Sequence, residues 1–165
     1  MIHRHALLML AALVGTPQAP SDGMAGVIRL HGEGVQIYDC QKSSAGYAWV
    51  LRQPDALLTD ADGHIRARQS AGPNWTAADG SEVAGQAIAT IPAPRPDAIP
   101  WLVLRAVSQD GPNTLDGVTY VLRIETVGGV APAGGCDHDH DGAVANVPYE
   151  ATYMFLRPGD PPIEP

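Results

Sequence analysis

Residues 134–142, GGCDHDHDG, concentrate metal-type side chains. Asp137, Asp139 and Asp141 followed by Gly142 match the opening of a calcium loop. There, alternating carboxylates converge on one hard cation and the glycine permits a sharp turn. The match then stops. The twelfth position, where an EF-hand places a bidentate glutamate, is Pro148, and Glu150 falls two residues late. Calcium would need Glu150 or backbone carbonyls to complete its shell. His138 and His140 define a competing site for a transition metal, because residues two apart in an extended strand project to one side and can chelate zinc, copper or nickel. His64, His31 or Cys136 would supply a third ligand. The two geometries require different backbone shapes, and the bland alternative is a solvated polar turn between strands.

A second group of residues suits binding. Gly72-Pro73-Asn74-Trp75 leads to Asp79-Gly80-Ser81, a turn–aromatic–turn unit in which Trp75 either stacks a ligand, with Trp49 and Trp101 lining a groove, or packs the core. The ligand surface best supported by residue type combines Trp75, Tyr149 and the 137–141 loop. Arg123 alternates off the apolar face of its segment, where it would pair with Glu125 or an aspartate across a sheet, or bind a ligand carboxylate. Catalytic constellations are missing: the chain has no G-x-S-x-G elbow, phosphate-binding G-x-x-x-x-G-K-[ST], H-E-x-x-H or dinucleotide fingerprint. A binding or structural role therefore ranks above an enzyme.

These residues must be positioned by strands. The 165-residue chain contains 18 glycines and 15 prolines, which opposes a helical bundle, and its 45% hydrophobic content opposes wholesale disorder. Short apolar runs at 27–30, 35–40, 47–52, 65–69, 83–91, 101–107, 118–126 and 149–156 are separated by Asp-Gly turn signals at 62–63, 79–80, 110–111, 116–117 and 141–142. They predict an all-β fold, an antiparallel sandwich or small barrel of about eight to ten strands. In 118–125 (VTYVLRIE), Val118, Tyr120, Leu122 and Ile124 share one face, and Thr119, Val121, Arg123 and Glu125 the other. The nearly all-apolar 101–107 (WLVLRAV) reads as a central strand covered on both faces.

The N-terminus carries Arg4, then the apolar run ALLMLAALV at 6–14 and a small polar region to Ala19, the pattern of a secretory signal peptide over 1–19. Residues 20–26 form a flexible lead-in, 27–157 a single β domain and 158–165 a mobile tail. Nine apolar residues are too few to span a bilayer, so no membrane anchor is expected. The formal charge of −8 excludes a basic nucleic-acid face. Cys40 and Cys136 are the only cysteines, and in a secreted or periplasmic chain two suggest one disulfide. Two buried thiols, or Cys136 as a metal ligand, are the alternatives.

Nine ordered blocks, among them Gly34-Val-Gln-Ile-Tyr-Asp-Cys40, Ala71-Gly-Pro-Asn-Trp75, Val118-Thr-Tyr-Val-Leu-Arg123, Gly135-Cys-Asp137 and Val147-Pro-Tyr-Glu-Ala-Thr-Tyr153, give the chain a resemblance to a known family. It resembles the exported domain-of-unknown-function family numbered 3455, over roughly residues 27–157. The resemblance implies a secreted β-rich domain of bacteria and filamentous fungi, with Cys40 and Cys136 both in family blocks and therefore bridged. Where the family often has a His-Tyr pair before Gly72-Pro73, this chain has Gln69 and Ser70. Some fungal relatives carry a malate dehydrogenase label, which the absence of a dinucleotide fingerprint and of βαβ alternation does not support. The leading reading is an exported β domain that binds a small molecule or a cell-surface component. The alternatives are a metal-dependent extracytoplasmic enzyme or metal-handling protein using the 137–141 loop, and a structural or stress-related envelope protein.

Overall fold

The computed structural model describes residues 27–111 and 113–158. The expected signal segment 1–19, the lead-in 20–26 and all of the tail beyond Pro158 lie outside the described residues. Eight strands follow in order: β1 Ile28–Ser43, β2 Gly46–Thr59, β3 Ile65–Ser70, β4 Asn74–Ala77, β5 Glu82–Ile91, β6 Trp101–Asp110, β7 Tyr120–Gly128 and β8 Val144–Leu156. Each pairs antiparallel with its neighbour in sequence, and β8 returns to pair with β1, closing a barrel. Closure leaves no free sheet edge, which settles the choice between sandwich and barrel.

Turn chemistry explains the connections. The Asp-Gly glycines Gly63, Gly80, Gly111 and Gly117 all have positive φ, the region a side chain disfavours. Two expectations about strands need correction. The runs at 27–30 and 35–40 are one continuous strand, β1, because Gly32 and Gly34 are not breaks but close approaches. A Cβ on Gly32 would sit 2.6 Å from the Tyr153 ring, and one on Gly34 would overlap the carbonyl oxygen of Asp55. Residues 74–77, read as part of a turn unit, form the short strand β4.

The wall has one dry face. Leu58, Trp75, Val83, Leu104, Val121, Tyr153 and Phe155 are fully buried inside. The apolar run in β6 is not covered on both sides: Leu104 faces in, whereas Val107 is 56% exposed. A barrel wall has water on its outer side, so apolar content alone did not report two-sided burial. In β7 the inward set includes Val121, while Tyr120 is exposed. Charge decorates the outer wall as cross-strand pairs, Arg29–Glu125 at 2.7 Å and Arg68–Asp55 at 2.8 Å.

One end of the barrel is sealed. The β6–β7 connection places Leu115 and Val118 in the core. It is pinned by Asp79 of the β4–β5 turn, which accepts from Ser81 Oγ at 2.6 Å and Thr114 N at 2.8 Å. Leu115 N donates to Ser81 Oγ at 3.1 Å. The opposite end carries the β1–β2 hairpin, the 71–73 turn, the proline-rich 92–100 connection and the 129–143 loop. There the Cys40–Cys136 disulfide, with Cα atoms 5.3 Å apart, ties the long loop to β1.

Candidate functional site

Inside the barrel, toward the end opposite the seal, lies a cavity of about 200 Å³. Gln36 of β1, Gln69 of β3, Trp75 of β4, Leu104 of β6, Arg123 of β7 and Tyr153 of β8 line it, and exposed residues such as Leu51 and Gly72 border it. The strand alternation of period two brings these side chains inward from six strands at once. Trp75 is held edge-on by Tyr153 and Phe155, with ring centroids 5.9 and 5.8 Å away. Gly85 of β5 leaves room for it, since a Cβ there would stand 3.1 Å from the indole.

The polar groups at and beside this wall are partly self-satisfied. Gln69 Oε1 accepts from the hydroxyls of Tyr149 at 2.7 Å and Tyr153 at 2.5 Å, and these hydroxyls lie 3.0 Å from each other. Tyr38 donates to the Gly129 carbonyl at 2.7 Å. Burial raises all three tyrosines above their usual range, Tyr153 most strongly, so they are neutral phenols at ordinary pH. Arg123 Nη2 donates to the Pro100 carbonyl at 2.8 Å. Burial pulls this guanidinium below its ordinary value, and the nearby Tyr153, Tyr149 and Tyr38 only partly offset that.

Among the described residues four buried donors have no acceptor: Gln36 Nε2, Trp75 Nε1, Trp101 Nε1 and Arg123 Nε. Gln36, Trp75 and Arg123 line the cavity, and Trp101 does not. The lining contains no carboxylate, imidazole or thiol. The arrangement can therefore orient and hold a ligand rich in acceptors, but it offers no group with the acidity or basicity for proton transfer at neutral pH.

The other anticipated residues lie elsewhere. Trp75 and Tyr149 are both inside the barrel, connected through Gln69 and Tyr153, rather than on an open surface. Residues 137–141 are exposed outside it. His138–His140 is a 3-10 turn, not an extended strand. Asp137 caps it by accepting from Asp139 N and His140 N, and its carboxylate also lies 2.6 Å from His140 Nδ1. Cys136 is committed to the disulfide and Trp49 donates to Gly134 O at 2.8 Å. Among the described residues, the group whose ligand atoms all lie within 4.8 Å of one another is Asp60, Asp62 and His64 in the β2–β3 turn. There Asp60 Oδ1 already accepts from Asp62 N and His64 N, the signature of a polar turn. Arg123 does not pair with Glu125, which instead binds Arg29. Gln36 and Gln69 were missed; the available signal was a glutamine at an alternating position inside an apolar strand (VQIYDC, ARQS).

The family model described as Protein of unknown function (DUF3455) matches residues 20–70 and 63–157. The chain belongs to this family. No curated protein and no solved structure matches it.

Proposed function

We propose that this DUF3455 member is an exported binding module that holds one small molecule inside a barrel open at one end. The observation that carries the reading is the cavity of about 200 Å³ walled by unsatisfied buried donors. Protein interiors are packed nearly as densely as organic crystals, and buried polar atoms almost always have partners. A void and orphaned donors in the same place are what a site without its ligand looks like. For scale, a cavity of about 150 Å³ accommodates a benzene ring. Export is supported by the N-terminal segment and by the disulfide, which persists in oxidising compartments. The ion pairs on the outer wall suit water better than lipid.

Thermal unfolding of the oxidised protein against a panel of single-ring compounds, neutral, cationic and anionic, tests this reading. Binding to the native state adds RT ln(1 + L/Kd) to its stability, L being the free ligand concentration, so the midpoint rises with the logarithm of ligand concentration above Kd. At least one class is expected to raise it, and Leu102→Trp, which enlarges a half-buried residue on the cavity wall, is expected to abolish the shift. A panel without any shift, or shifts that survive Leu102→Trp, would contradict it.

A further inference from the structure

We infer that the molecule held in this cavity is a small organic monoanion, a carboxylate on a compact apolar body, gripped by Arg123 with Gln36 and Trp75 as neutral donors. The inference rests on the cavity being a ligand site, and deepens that reading by assigning the chemical class. Its first support is charge. Among the described residues Arg123 forms no ion pair, although the arginines at 29, 52, 66, 68 and 95 all do; Arg105, which also forms none, is exposed to water. Arg123 is half-buried with its Nε enclosed, and a cation so placed without a counterion is costly unless something neutralises it. The neighbours on the elements packed around it are the phenols Tyr38, Tyr149 and Tyr153, which carry no compensating charge.

The second support is the sign of the missing partners. The orphaned atoms at Gln36, Trp75 and Arg123 are all N–H donors. Gln36 and Trp75 are 1% and 0% exposed, so bulk water does not serve them. A carboxylate offers two oxygens and about four lone-pair sites, enough to accept from the guanidinium edge and from two neutral donors. One uncompensated positive charge matches one negative charge. A dianionic phosphate would leave net negative charge inside the barrel. Of the remaining wall, Leu102, Leu104, Pro54 and Pro73 are apolar and suit a hydrocarbon body, Gln53 is polar, and the exposed Arg52 is already paired with Asp39. The chain's net charge of −8 does not prevent entry, because at physiological ionic strength surface charge is screened over about 8 Å.

Isothermal titration of the oxidised protein with benzoate, benzamide and benzyl alcohol separates the claims. The three probes share a ring and differ in charge. Benzoate is expected to bind one to one and at least tenfold more tightly than either neutral probe. Arg123→Met is expected to erase that preference while its thermal midpoint holds or rises, because it removes a buried unpaired charge; Arg123→Gln serves if the methionine variant does not fold. Neutral probes that bind as tightly as benzoate, or a benzoate preference that survives the loss of the guanidinium, overturn the assigned class and leave the cavity reading standing. Failure of all three to bind at millimolar concentration overturns both.

Discussion

Gln69 shows how one residue organises the barrel interior. Its side-chain oxygen takes the protons of two buried phenols, Tyr149 and Tyr153. Gln69→Leu deletes the shared acceptor, and the two hydroxyls, 3.0 Å apart, can then satisfy only one proton between them. The expected cost is about 1–3 kcal/mol, the penalty for one buried unsatisfied donor. Tyr149→Phe removes a hydroxyl but leaves the Gln69–Tyr153 bond, so its cost should be smaller, about 0.5–1.5 kcal/mol. Urea unfolding of the two variants measures both values, and equal costs would contradict the shared-acceptor account. Arg123 belongs to the same scale: among the described residues it forms no ion pair, and the proposed carboxylate would supply the missing counter-charge.

At the scale of elements, the glycine pattern of β1 decides how closely it lies on β2. Gly34→Ala would drive a methyl into the backbone of residues 55 and 56. It is expected to destabilise by about 1–3 kcal/mol, as for an overpacked interior. Gly134→Ala, where a Cβ meets nothing within 4 Å, should change stability by less than about 0.5 kcal/mol. Chemical denaturation of this pair checks the contrast. The sealing loop makes a pH prediction. Hydrogen bonds from Ser81 and Thr114 hold the Asp79 carboxyl well below its ordinary value. A carboxylate depressed in the folded state stabilises above the unfolded pKa, near 4, and loses that contribution as pH falls through the folded value. Asp79→Asn should therefore flatten the acid side of the stability profile; an unchanged profile would show that the network does not hold the loop.

The same elements show what was legible. Asp-Gly pairs marked turns because positive φ is a local requirement, and the short apolar runs between them account for seven of the eight strands, two runs merging in β1 and β4 having been read as a turn. The interior was harder to see. In β7 the more apolar set, Tyr120 and its neighbours, looked like the core face, yet Val121 packs in the core and Arg123 lines the cavity. Trp75 and Tyr149 stood out by residue type, but Gln36, Gln69 and Arg123 join them in the barrel interior only through pairings between strands far apart in sequence. The 137–141 run drew attention by composition, whereas its hydrogen bonds make it a capped turn on the outside.

For the whole molecule, closure and cross-linking act together. The disulfide spans 96 residues and fastens the 129–143 loop to β1. Cys40→Ser with Cys136→Ser is expected to lower stability by up to about 4–5 kcal/mol in the chain-entropy account. Because the eight-strand hydrogen-bond circuit does not depend on that bond, far-ultraviolet circular dichroism of the variant at low denaturant should keep its β signature. Loss of that signature would mean that the barrel cannot close without the bridge.

The central claim is that orphaned donors in the barrel await a carboxylate. Nitrogen–proton NMR of the oxidised protein during a benzoate titration reads those donors directly. The account predicts saturable downfield movement of the Trp75 indole N–H and the Arg123 Nε–H, with the Trp49 indole, already bonded to Gly134, unmoved. Static Trp75 and Arg123 resonances at saturating benzoate, or shifts confined to the outer wall, would contradict it.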